Sequence, residues 1–215
     1  MTETVAERAQ SDSAVPVSPE RLIYFSDAVI AIAITLLALE LPVPTGSVHG
    51  NHGVLEFLRE HSAEYLAFLI SFTAVAMQWM AHHRLFRYAT GLVGGVIQAN
   101  LVWLLMIVVM PFTTKMLTSE ADGFQVQFSM YAADQALAAL CLVLAFTALR
   151  RRGLLRANTP PGAITETLDW MTTVIVVFTI SIPIAFMTHW ASLSWIFLPV
   201  VRSAIRFARR AASTA

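Results

Sequence analysis

The sequence predicts an all-α integral membrane protein, and three observations carry that prediction. The 215 residues are 57% hydrophobic and 13% charged, whereas soluble domains carry about 25% charged residues. Mean hydropathy is +0.65. The apolar residues gather into six blocks, each close to the roughly 17 to 25 residues that cross a bilayer as a helix.

The first block, Leu22 to Leu41, ends where Pro42 and Pro44 forbid further helix. A loop over 45–63 follows, with a short helix expected around Val54 to Glu60. The second block runs from Tyr65 to Met80, with a polar continuation to Phe86, and the third from Leu92 to Met116. Gly91 and Gly95 form a GxxxG at the start of the third, which fits either close helix packing or an interfacial turn. The fourth block spans Phe128 to Leu149, and a basic turn over 150–167 leads to the fifth, Leu168 to Met187. The sixth, Leu193 to Phe207, is the shortest, and its brief connection predicts an antiparallel hairpin with the fifth. Residues 1–18 are polar and read as a disordered cytoplasmic tail without a cleavable leader. Residues 19–210 form the six-helix domain, and 211–215 a short C-terminal tail.

Basic residues set the orientation. With the N-terminus in the cytoplasm, twelve arginines fall on inner segments, and only Arg59 and Lys115 fall outside. A bias of this size predicts both termini inside, in the cell membrane. Net charge is zero, which gives no sign of a nucleic-acid partner. The lone Cys141 sits among Leu, Ala and Val and reads as a small apolar residue.

The chemistry concentrates in the first block. Phe25-Ser26-Asp27 places a carboxylate at the start of an aliphatic helix, where insertion costs about 2.5 to 3.5 kcal/mol at mid-membrane. Such a group must face protein or water. On a helix, Ile32, Leu36 and Leu39 share one stripe, with Ala28 and Thr35 flanking it. Asp27 projects about 140° away from Ile32 and needs a partner among Arg21, Trp79, His82, His83 and Arg84. The stripe alone fits a pore lining, helix packing or lipid contact. His82 and His83 point about 100° apart, a poor metal pair, and one of them suits a hydrogen bond to the Ser26–Asp27 turn. No cofactor or metal is expected. Loops and motifs for a carbonyl filter, a voltage sensor, a phosphate cradle or a hydrolase are absent from the sequence.

The pattern Arg21, Phe25, Ser26, Asp27, followed by Ala-Ile-Ala-Ile-Thr35-Leu-Leu and Leu39-Glu40, resembles the prokaryotic branch of the transmembrane protein 175 family. Trp79 to Phe86 with its His82-His83 pair, Asn100, and Met110-Pro111-Phe112 extend the resemblance over about Arg21 to Phe112. It implies a six-span subunit in a homotetramer, with the first span around a central potassium-permeable pore that lacks a filter loop. It also implies a constriction at Ile32, continued outward by Leu36 and Leu39, with Thr35 bearing on selectivity. Arg21, Phe25, Ser26 and Asp27 would hold the inner helix ends together, and four Glu40 carboxylates would lie at the outer mouth. The permeant potassium ion, the lipid bilayer and further copies of the chain are the expected partners. The other functions considered are a small secondary transporter, which would need inverted repeats and a broken helix, and a non-conducting membrane scaffold.

Overall fold

The structure, a computed structural model, describes residues 18–46, 48–119, 122–188 and 191–213. The expected N-terminal tail therefore lies, but for Ser18, outside the described residues. The described chain is helical in the order α1 (Pro19–Leu39), α2 (Gly50–Glu60), α3 (Ser62–Phe86), α4 (Gly94–Leu117), α5 (Phe124–Arg151), α6 (Pro161–Met187), a 3₁₀ segment (Ala191–Phe197) and α7 (Leu198–Ser213).

Local chemistry explains most of the boundaries. Pro19 and Pro161 sit in the first turns of α1 and α6, where their missing N–H is no loss. Helix α5 ends on Gly153, whose φ of +67° favours glycine. The Gly153 and Leu154 amides then reach back to the carbonyls of Arg150 and Leu149, which closes the helix end in a Schellman motif. The two connections at this end are joined by backbone hydrogen bonds, Thr90 N–H to Leu154 O at 3.0 Å and Arg156 N–H to Tyr88 O at 2.9 Å. Backbone groups outside the helices are thereby paired with each other.

Among the described residues, five helices are long and apolar enough to cross a membrane: α1, α3, α4, α5 and α6. The sixth predicted block has a different form. It begins as the 3₁₀ segment, passes Pro199 and continues as α7, which carries Arg202, Arg206, Arg209 and Arg210. Contacts place it alongside α6 in the antiparallel sense. The Trp195 indole N–H meets Ser181 Oγ at 3.5 Å, and the Arg202 guanidinium lies 5.6 Å from the Trp170 ring centre. Helix α7 extends to Ser213, so the helix enters the stretch read as a C-terminal tail. Within the subunit a Cβ on Gly95 would meet nothing within 4 Å, so no neighbouring helix of the same subunit presses on that glycine.

Helix α5 is the centre of the bundle. Of its apolar window 61% is buried, compared with 22% for α1. Its packing faces use small residues, with Ala132, Ala138, Ala139 and Ala145 fully buried. Without a water-driven hydrophobic effect between helices, such residues gain contact by letting backbones approach. Ala139→Leu should therefore overpack the α5 interface and cost about 1 to 3 kcal/mol. Thermal melting in detergent by fluorescence-detected size exclusion should read a clearly lower midpoint. Leu144→Ala, on the exposed side of the same helix, should leave the midpoint within a degree; equal losses in the two variants would refute this division of faces.

Candidate functional site

Helix α1 touches the rest of the subunit along one narrow face. Ser26, Ile30, Ala33 and Leu37 are buried there, against α3 and α4. Their three- and four-residue spacing is that of one helix stripe. About 130° around the helix, Ile32, Leu36 and Leu39 are 60%, 42% and 78% exposed. Thr35 is exposed beside them, and its hydroxyl donates to the Ile32 carbonyl at 2.7 Å. In this rotamer the side chain is held against its own helix.

The motif residues divide between a buried bond and a peripheral one. Ser26 is fully buried and donates to the Leu22 carbonyl at 2.8 Å. Asn100 Nδ2 on α4 donates to Ser26 Oγ at 3.1 Å, and Asn100 Oδ1 lies 2.9 Å from His82 Nε2 on α3. One amide thus ties three helices together. His82 is clamped between rings, stacked 4.5 Å from Trp103 and 4.3 Å from Phe86. Asp27 takes a different partner, accepting the Trp79 indole N–H at 2.8 Å. That partner is neutral, and both residues are partly exposed, so the pair is not a buried ion pair. The histidine expected at the Ser26–Asp27 turn reaches it only through Asn100. His83 faces outward and packs at 6.0 Å from Trp79. Arg21 and Phe25 are exposed in the subunit. Glu40 forms a salt bridge with Lys115 at the far ends of α1 and α4, so its carboxylate is partly neutralised and less able to draw cations.

Sequence reasoning missed how far the polar system extends. From Trp103 it continues through the indole N–H to Gln78 Oε1 at 2.9 Å, and from Gln78 Nε2 to Gln135 Oε1 at 3.1 Å. Nearby, Thr114 donates to Ser71 at 2.8 Å, and Ser71 to the Tyr131 hydroxyl at 3.1 Å. The signal was available: Gln78, Asn100 and Gln135 are amides within apolar blocks, and lipid tolerates them only when paired. Among the described residues no group of three or more His, Cys, Asp or Glu gathers to hold a metal. Helices α4 and α6 stay continuous through Pro111 and Pro183, so the unwound half-helices of a transporter site are not seen among the described residues.

Residues 21–111 match the family model of the endosomal/lysosomal potassium channel TMEM175. That stretch contains Arg21, Phe25, Ser26 and Asp27 and the whole Ser26–Asn100–His82 network. A protein named as a potassium channel in Chamaesiphon minutus is 37% identical over 97 residues, covering 45% of this chain and 48% of that one. A protein of the same description in Streptomyces collinus is 33% identical over 128 residues, covering 58% and 59% of the two chains. The chain thus matches about half the length of these relatives. The fold is similar to the crystal structure of a lysosomal potassium-selective channel TMEM175 homolog from Chamaesiphon minutus, with a TM-score of 0.67 at 24% identity, over 88% of this chain and 97% of that one.

Asn100→Leu should remove the shared partner of Ser26 and His82. Buried polar groups left unpaired cost about 1 to 3 kcal/mol, moderated in membranes to roughly 0.6 to 1.7 per bond. A melting midpoint lowered by several degrees is expected in detergent. An unchanged midpoint would mean that this network does not hold α1 in place.

Proposed function

We propose that this chain is a member of the TMEM175 family, whose model its residues 21–111 match, and one subunit of a homotetrameric, potassium-permeable cation channel in the cell membrane. Members of the family are described as ion channels, not enzymes. In this reading the α1 helices of four subunits surround the ion path. Ile32, Leu36 and Leu39 form its constriction, and Thr35 adjusts selectivity from beside them. The 3₁₀ segment with α7 makes the sixth crossing and returns the C-terminus to the cytoplasmic side, where the arginines of the inner segments meet the positive-inside rule.

The observation that carries the proposal is the unequal burial of α1. It holds a carboxylate and a hydroxyl, yet only 22% of its apolar window is buried by its own subunit, the least of the five long helices. Exposed leucines on other helices are ordinary lipid-facing residues. A helix with the Thr35 hydroxyl on its uncovered surface and the partly exposed Asp27 at the rim of its packed face is better served by neighbouring copies and water than by lipid. The aliphatic stripe supplies no dipoles to replace an ion's hydration shell. Discrimination would then follow the cost of removing water, which is smaller for potassium than for sodium, and conduction would depend on wetting of the narrow stretch.

Reconstitution of the full chain in liposomes with a potassium gradient tests this directly. Passive electrogenic potassium flux is expected; flux strictly coupled to a second ion would indicate a transporter instead, and no flux a scaffold. Ile32→Asn should hydrate the constriction, raise conductance and bring the potassium-to-sodium permeability ratio toward one. Currents and ratio identical to the wild type would remove Ile32 from the ion path.

Thr35→Val keeps the side-chain shape and deletes the hydroxyl. A net hydrogen bond of about 0.5 to 1.5 kcal/mol converts to a two- to tenfold loss in the permeability ratio, with assembly unchanged. The reversal potential in mixed potassium and sodium measures it, and a reversal potential equal to that of the wild type would end Thr35's role.

A further inference from the structure

Away from α1, a groove runs between α3 and the α6–α7 pair. Its deep part has a volume of about 460 Å³ and is walled by apolar side chains, among them Leu69, Ala74, Val174 and Phe178. Met77 and Trp170 line both this part and a second cavity of about 280 Å³, so the two adjoin. The second cavity contains Arg84, Arg202, Glu166 and Thr167. It lies where α3 approaches its end at Phe86 and α6 has just begun at Pro161. One groove thus joins an apolar slot at mid-span depth to a basic mouth at the end of the bundle.

We propose that this groove binds one anionic phospholipid, its acyl chain along Ala74 and Val174 and its phosphodiester at Arg84 and Arg202. Three observations select that occupant. The Arg202 guanidinium stands over the Trp170 ring at 5.6 Å, while its Nε is buried with no hydrogen-bond partner in the protein. A buried guanidinium donor calls for an acceptor, and a phosphate oxygen matches its planar fork. Among the described residues, no ion pair within 4 Å joins Glu166 to Arg84 or Arg202, so the mouth carries two positive charges and one negative. That net charge of +1 complements a single phosphodiester and gives a zwitterionic lipid no comparable advantage. The division along the groove also follows the bilayer, apolar where acyl chains lie and basic where headgroups lie. Trp170, at the junction, has the apolar body and polar edge of an interfacial residue.

The test does not depend on ion conduction. The purified full chain in detergent would be titrated with phosphatidylglycerol or phosphatidylcholine, and bound lipid counted by native mass spectrometry. The wild type should retain phosphatidylglycerol in preference. Arg202→Gln and, separately, the more exposed Arg84→Gln should each reduce that preference about fivefold, the effect of one basic side chain near an anionic headgroup. Ala74→Phe should fill the slot and weaken both lipids alike. Equal retention of the two lipids by the wild type would overturn the proposal, as would unchanged phosphatidylglycerol binding in both arginine variants. If Ala74→Phe instead dissociates the oligomer on size exclusion while lipid binding persists, the groove is an interface between copies, and the proposal fails.

Discussion

One constraint organises the molecule: a polar group inside a membrane must find its partner inside the protein. Asn100 is where that constraint is met for the first helix. Its amide has one donor side and one acceptor side, and both are used, toward Ser26 on α1 and His82 on α3. Apolar packing alone leaves a lipid-immersed helix free to rotate or slide, because lipid tails contact leucine as well as protein does. A short chain of directional bonds removes that freedom. It fixes the rotation of α1, and the rotation decides which residues face outward from the subunit.

The division of labour within the Phe25-Ser26-Asp27 motif follows from this. The residue that is chemically most conspicuous in the sequence, Asp27, takes a peripheral bond to Trp79. The modest hydroxyl beside it occupies the fully buried position. A charge could not have occupied that position at reasonable cost, since a buried carboxylate needs a compensating charge or several donors. Serine satisfies its own helix carbonyl and still accepts from Asn100. Asp27, about 100° further round the helix, points to the rim of the α1–α3 contact, where a single indole donor suffices.

Much of this was legible in the sequence, and the failures have identifiable causes. Long apolar blocks bounded by proline, glycine and arginine located α1, α3, α4 and α5 to within a few residues, because hydropathy and length are local properties, whereas α6 begins at Pro161, seven residues before its block and inside the stretch read as a turn. The stripe of Ile32, Leu36 and Leu39 was legible for the same reason. The last block was harder. Its apolar residues and its arginines are interleaved, and its 3₁₀ segment places Trp195 against Phe128, Tyr131 and Phe178, contacts from distant parts of the chain. Partners across helices were harder still. Gln78, Gln135 and Asn100 announce that each needs a partner, but a one-dimensional pattern does not say which.

The network from Ser26 through His82, and the separate run from Trp103 to Gln135, lie on faces that α1, α3, α4 and α5 turn toward one another. The exposed stripe of α1 takes no part in either. Its residues make no contact on which the subunit's own core depends, so they can change in size and polarity while the helix stays oriented. Thr35 illustrates the point: its hydroxyl bonds to Ile32 of its own helix, so no neighbouring helix relies on it. A helix anchored by one face and unconstrained on another is suited to line a path, because the lining can be tuned independently of the anchor. Asn100 and Ser26 hold the orientation of α1, and Ile32, Leu36 and Leu39 can vary without disturbing that anchor.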